Sequence, residues 1–489
     1  MQIRFIKKYW MLTLVLPLLA CQSTVDNEHQ TDHTSDTSAP KFLPFSDQQN
    51  TGNWILNTLI SDEFNGTQID LDKWFVQGLD SQYYIWKGRA PSQFAPHNVL
   101  LKDGILRLRS QWEPDFEFAD ESYADGKVKS KYGEVDGKPV PVTTAAIVSR
   151  KRFLNGYMEV RSRAANASMT SAFWAIGYQS ELDVYEQIGD PTLDGDIKAD
   201  TFKATVHDWS PPAVRPTRVF GHKRKLPFDV ADAFHIYGAE WGEDYLKLFI
   251  DGELVYSVTS KEVGEDWVLL NPMEIWLDSE IFAWLGYPNE QQLPAYFDVD
   301  YVRVWQKPET NLLPKAFYGF EGPILFEENP RPLKLVPESS KVNEYQKFWR
   351  IDDSVRSKVN IVSEKKHKGQ KSLKIALTEN SIKNKKVAQT PPNAIDLSEG
   401  DYIFSAYIWI DSDSTLEEIN FSLEQPSMQL NSIKLSRIAK GKWHKVEKIF
   451  SKKERSSELD RLTIKATHLS SKKIQGAIYI DDIAIEKLP

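Results

Sequence analysis

An all-β protein, a jelly-roll sandwich followed by a second, smaller β-sandwich, is the fold class that the sequence predicts. Three observations carry it. Short runs alternate aliphatic and polar residues between Gly, Asn and Pro; no helical periodicity of comparable length competes; and the texture breaks and restarts once, near residues 307–314. At 489 residues the chain is several times the roughly 150 residues of a typical domain. The boundaries drawn are 1–21, 22–50, 51–308 and 315–489.

In chain order, the first element is a leader. Arg4, Lys7 and Lys8 precede an apolar run from Tyr9 to Leu19, and Leu18-Leu19-Ala20-Cys21 ends it before the sequence turns polar. The pattern looks like a bacterial lipoprotein signal, which implies export and a lipidated Cys21; an ordinary secretory leader is the alternative. No later segment has the about 18 uninterrupted apolar residues of a crossing helix, so a membrane is expected only through the lipid. Residues 22–50 are rich in Ser, Thr, Asp and Pro, too polar to bury a core, and read as a disordered tether.

Residues 51–308 hold the jelly-roll texture. Strands are expected at 104–110 (GILRLRS), 156–163 (GYMEVRSR), 245–256 (YLKLFIDGELVY) and 297–305 (FDVDYVRVW), with Asp251-Gly252 as a hairpin turn. Residues 315–489 repeat the β texture at 372–377, 401–410, 443–450 and 477–485, without an internal repeat of the first region.

Composition narrows function. Lys+Arg 60 against Asp+Glu 69 leaves a net charge of −9, so no surface suited to tracking phosphates is expected and nucleic acid is excluded as a partner. A single cysteine excludes intramolecular disulfides and thiolate metal clusters. Tryptophan, at 15 residues, is over-used, and its flat face suits a core, an interface or stacking on a sugar ring.

The segment that carries chemistry is Glu181-Leu182-Asp183-Val184-Tyr185-Glu186. Period-2 geometry sends Glu181 and Asp183 to one face and Leu182 and Val184 to the core. Glu186 has the wrong parity, and a β-bulge after Asp183 would return it to the acidic face. Three acids on one wall split their proton affinities, as a nucleophile and an acid/base about 5–5.5 Å apart require in a retaining glycosidase. A solvated acidic strand can produce the same spacing by chance. The apolar run Ser171-Ala172-Phe173-Trp174-Ala175-Ile176-Gly177 reads as the buried neighbour of the acidic strand.

With Asp62-Glu63-Phe64-Asn65-Gly66, Asn98-Val99, Asp103-Gly104-Ile105-Leu106, Phe234 to Trp241, Asp251-Gly252 and Asp300 to Trp305, all in order, residues 54–307 resemble glycoside hydrolase family 16. The resemblance implies Glu181 as nucleophile, Asp183 as its support and Glu186 as acid/base. Trp86-Lys87-Gly88-Arg89-Ala90-Pro91-Ser92 looks like the cleft loop of the marine galactanases, with Trp86 for stacking and Lys87 and Arg89 for sulfate. Trp174, His207, Trp209, Arg215 and Arg218, the last two ahead of the basic run His222 to Lys225, complete the expected substrate contacts. The activity implied is endo-hydrolysis of β-1,4 bonds in a sulfated red-algal galactan, low-sulfate carrageenan, furcellaran or porphyran. Neutral agarose is the runner-up, and a non-catalytic glycan-binding lipoprotein the alternative of another class.

Hydrolysis by two carboxylates requires no cofactor. The resemblance permits a structural Ca²⁺ near Glu63 and Asp300, while Asp190, Asp194, Asp196 and Asp200 match no calcium loop. A monomer is expected. The C-terminal region has the outline of a carbohydrate-binding sandwich, in which Trp349, Trp409 and Trp443 either stack on sugar or fill the core.

Overall fold

The computed structural model describes residues 42–84, 86–125, 128–177, 180–208, 219–270, 272–307, 318–320, 350–390, 395, 397–457 and 460–488. The leader with Cys21 and most of the expected tether lie outside them.

Within 42–307 two sheets pack face to face. The outer sheet has ten strands, antiparallel except where Val142–Thr144 runs alongside Gln93–Phe94. The inner sheet has seven: β1 (Trp74–Val76), β2 (Ala146–Ser149), β3 (Thr170–Gly177), β4 (Ser180–Ile188), β5 (Thr201–Asp208), β6 (Val219–Lys225) and β7 (Met273–Asp278). Their order, β6-β5-β4-β3-β7-β2-β1, is antiparallel throughout. One face of each sheet enters a shared core, Leu106, Met158, Val160 and Val299 meeting Phe173, Ala175, Leu182 and Ile275. The alternation that predicted strands is therefore the alternation between core and outside. Strand β3 is buried on both faces, which is why it reads as one continuous apolar run.

The expected strands appear as Ile105–Trp112, Gly156–Arg163, Ala295–Gln306 and the hairpin of Tyr245–Ile250 with Glu253–Thr259. Asp251 and Gly252 both take positive φ, 48° and 81°, the handedness that a two-residue turn needs to match strand twist. Much of the tryptophan excess is structural: Trp74, Trp241, Trp276 and Trp305 are fully buried.

Two features depart from expectation. Residues 42–50, assigned to the tether, are ordered turns. The Phe45 amide donates to Glu159 Oε2 at 2.8 Å, the Ser46 hydroxyl to Tyr157 at 3.1 Å, and Asp47 accepts from the amides of Thr51 and Gly52. Polar residues suffice here because they satisfy the turn's own backbone and a buried carboxyl. A four-stranded appendage of Ser122–Asp125, Val128–Lys131, Glu134–Val135 and Lys138–Pro139 was also not anticipated.

Residues 350–488 form a second sandwich of two five-stranded antiparallel sheets. Its own core includes Phe320, Phe404, Ile408, Phe421 and Ile480. The predicted strands correspond to Ser372–Ile375, Gly400–Ile410, Trp443–Lys452 and Ile478–Lys487.

Candidate active site

The acidic strand carries an irregularity at the position that its parity demands. Ile176 faces Glu181 and Trp174 faces Asp183, but Phe173 faces Tyr185, so Val184 is the extra residue of a bulge. Val184 and Tyr185 are both fully buried in the core, and Glu186, opposite Ala172, returns to the side of Glu181 and Asp183. All three carboxylates stand on the face of the inner sheet that points away from the core.

Their surroundings set their charge. His207 on β5 is the cross-strand partner of Glu181 and brings Nε2 to 3.9 Å from Glu181 and 3.2 Å from Asp183. Burial, reinforced by the charge of Glu186, pushes the Asp183 carboxyl well above the usual carboxylate range. Glu186 is raised as well, chiefly by burial; Lys203, His207 and Arg89 oppose the shift and Glu280 adds to it. Asp278, on β7, is raised well above its usual value by burial and then by Glu280, although it accepts the Trp174 indole N–H at 2.7 Å. Burial and mutual repulsion thus raise the proton affinity of these acids above that of exposed carboxyls.

Beside the acids runs a wall of aromatic rings. Trp86 lies parallel to Trp276 at 4.8 Å, and Trp174 stacks on Trp276 at 4.9 Å. Glu280 fastens the loop that carries Trp86, accepting the indole N–H at 2.8 Å with one oxygen and Arg89 Nε at 3.3 Å with the other. The guanidinium also lies over the rings of Phe282 and Trp284, at 5.2 and 5.6 Å. From the other side the appendage and the residue before it brace the same loop: Tyr132 donates to the Gly88 carbonyl at 2.9 Å, the Gly133 amide to the Pro91 carbonyl at 2.8 Å, and Lys87 pairs with Glu121. Gly88 has φ of 114°, and a Cβ there would meet backbone of Ser92 and Phe94 at 3.1 Å, so the loop needs glycine.

Of the residues expected to contact substrate, Trp86, Lys87, Arg89, Trp174 and His207 are brought to this side of the sheet, while Trp209, Arg215 and Arg218 lie outside the described residues. Trp174 sits in the wall rather than on its surface, since only 7% of it is exposed. Neither residue expected near calcium is arranged for it. Glu63 is held by both ends of the Arg303 fork at 2.8 and 2.7 Å, and Asp300 by Arg161 at 2.6 Å, so arginines already supply the charge that a cation would bring. Glu181, Asp183 and His207 form the one trio among the described residues whose donor atoms lie close enough for a metal ion, within 4.8 Å of one another. An imidazole nitrogen in the set does not suit calcium, which takes oxygen ligands.

Sequence reasoning missed Trp276, Asp278, Glu280 and Lys203. The first three had a signal, because Glu274, Trp276, Asp278 and Glu280 alternate with Met273, Ile275, Leu277 and Ser279 in the same period-2 pattern as the acidic hexad. Lys203 had none.

A jelly roll with paired carboxylates on a bulged inner strand, flanked by an aromatic wall, defines a glycoside hydrolase by class. The sequence profile of the family described as "Beta-porphyranase A-D, GH16 domain" matches residues 54–307. The chain belongs to glycoside hydrolase family 16, in its porphyranase, carrageenase and agarase branch. It is 26% identical to β-porphyranase E of Zobellia galactanivorans over 253 residues, 49% of this chain and 82% of that protein. It is 26% identical to the κ-carrageenase of Pseudoalteromonas carrageenovora over 282 residues, 53% and 66% of the two chains. The crystal structure of porphyranase B from Zobellia galactanivorans superposes with a TM-score of 0.41 at 24% identity, covering 52% of this chain and 92% of that one.

Proposed function

We propose that this hydrolase cuts β-1,4 bonds inside a sulfated red-algal galactan, porphyran or low-sulfate carrageenan, with retention. Glu181 attacks the anomeric carbon as its carboxylate while Glu186 gives its proton to the departing glycosidic oxygen. Glu186 then takes a proton from the water that releases the glycosyl–enzyme intermediate. Asp183, whose carboxyl is pushed above the usual range by burial and by the charge of Glu186, supports the nucleophile. The observation that carries the substrate reading is the Trp86–Arg89 loop, fixed from two sides along the aromatic wall beside these acids. It offers a stacking face and a guanidinium to one sugar unit, and the porphyranases and the carrageenase among the relatives support the same class.

Release of reducing ends from porphyran, κ-carrageenan, furcellaran and agarose tests the reading. Cleavage of the sulfated polymers is expected, and Glu181→Gln should lower its rate by roughly 10³-fold or more while the polymer still binds. Activity on agarose alone would replace the sulfated substrate by the neutral one, and an unchanged rate in Glu181→Gln would end the catalytic assignment.

We further propose that the chain is exported and anchored through a lipidated Cys21. Detergent phase partitioning should find the protein with membranes and Cys21→Ala in the soluble fraction; a Cys21→Ala chain that stays with membranes would refute the anchor.

A further inference from the structure

The second sandwich carries an aromatic row where a solvated sheet needs none. Along Gly400–Ile410, Tyr402, Phe404, Ala406, Ile408 and Ile410 enter the core, while Ile403, Ser405, Tyr407 and Trp409 point the other way and are only partly buried. The register sets Trp409 directly between Trp443 and Tyr479 on the neighbouring strands, so three aromatic residues line up across the sheet. Trp409 and Trp443 meet edge to face at 6.1 Å, and Tyr407, two residues before Trp409 on the same face, is stacked by His367 at 3.5 Å. Tyr479 is buried, its hydroxyl bonded to Glu364 at 2.6 Å, while Tyr407, Trp409 and Trp443 stay partly exposed and outside the sandwich core.

A basic loop borders the row. Residues 364–371 hold Lys365, Lys366, His367, Lys368 and Lys371 against the single acid Glu364, in a chain whose net charge is −9. The buried Asp481 fixes this loop by accepting the His367 amide at 2.7 Å, and Asp482 holds the imidazole at 2.6 Å. Lys365 Nζ consequently lies 5.5 Å from the Trp409 ring and 5.0 Å from that of Tyr479, and Lys366 and Lys368 are exposed.

We propose that this outward face is a second polysaccharide-binding platform, separate from the cleft, which takes a sulfated glycan chain. Pyranose C–H faces stack on Trp409 and Trp443, and the sulfate esters meet the exposed ammonium groups of Lys366 and Lys368. Charge complementarity selects this occupant: a cationic rim beside flat rings in an acidic chain matches an anionic sugar polymer. The choice of a sulfated chain rests on the substrate reading above; the platform itself rests on the ring and lysine geometry.

Affinity electrophoresis of the full chain through gels containing porphyran, κ-carrageenan, agarose or no polymer tests it. The sulfated polymers should retard the chain, and Trp409→Ala with Trp443→Ala should weaken that retardation by roughly tenfold while hydrolysis of short soluble oligosaccharides stays unchanged. Lys366→Ser with Lys368→Ser, both on exposed positions outside the core, should weaken binding to the sulfated polymers and leave agarose unaffected. Unaltered retardation in both double variants overturns the platform, even if the cleft cuts galactan as proposed. Retardation by the sulfated gels that falls in the variants upholds it, even if the chain cuts no galactan at all. Equal losses on sulfated and neutral gels in the tryptophan variant, with no effect of the lysine variant, would overturn the sulfate preference.

Discussion

In the acid/base role proposed for it, Glu186 carries a proton when the glycosidic bond breaks, and its neighbours pull on that proton in opposite directions. Burial and Glu280 raise its affinity, while Lys203, His207 and Arg89 lower it. Glu280 is thereby a positioning residue with two effects, since it also fastens Trp86 and Arg89. Replacing it by glutamine keeps an oxygen for the Trp86 indole but removes the negative charge that faces Glu186. That loss lowers the proton affinity of Glu186. The alkaline limb of the kcat/KM profile, which reports loss of that proton, should therefore move to lower pH in Glu280→Gln. A purely structural role for Glu280 would reduce the rate at every pH and leave the limb in place. The acids of the site were legible because carboxylates at period-2 spacing declare a shared face. Arg89 was legible as a cation, but not as one already engaged by Glu280, because that partner lies 191 residues away.

At the level of elements, one inserted residue decides which face Glu186 takes. Were the strand to alternate strictly through Val184 and Tyr185, with no bulge, Tyr185 would turn outward and Glu186 would enter the core beside Val184. The bulge could be read from the sequence because the parity of Glu186 was wrong for anything else. The appendage of 122–139 and the turns of 42–50 were not legible, since neither has the apolar alternation that marks a buried strand; each is held by hydrogen bonds to distant residues. Glu159 shows the consequence. Burial raises its carboxyl to about 7, against the amide of Phe45 and the Tyr301 hydroxyl that favour the charged form. A folded-state value above the unfolded one means that this contribution to stability is fully present below about 4.5 and is lost as pH rises through about 7. The Tm should fall from pH 5 to 8, and Glu159→Gln, which mimics the protonated form, should lose on the order of 5 °C of that fall. Equal slopes for the two proteins would show that Glu159 does not titrate with folding.

On the scale of the whole molecule, each of the two sandwiches has a core of its own. Their cores share no residue: Phe173, Leu182 and Val299 belong to one and Phe404, Phe421 and Ile480 to the other. The Trp305 side chain that closes the first sandwich is buried against Trp54 and Tyr157, so every layer of that core is supplied by residues 54–307. Such a core is large enough to fold alone. A chain ending at Lys307 should keep one of the two unfolding transitions expected of the full chain by calorimetry, and should hydrolyse short soluble oligosaccharides at the full rate. On gelled polymer it should be slower, because the retention supplied by the Trp409–Trp443 face is gone while the cleft is intact. That split between soluble and gelled substrate separates a bound-substrate effect from damage to the active site, which would slow both. If the shortened chain cuts gelled polymer as fast as the full chain does, the second sandwich contributes nothing to substrate capture. If it fails to fold, the two cores are energetically one despite having no residue in common.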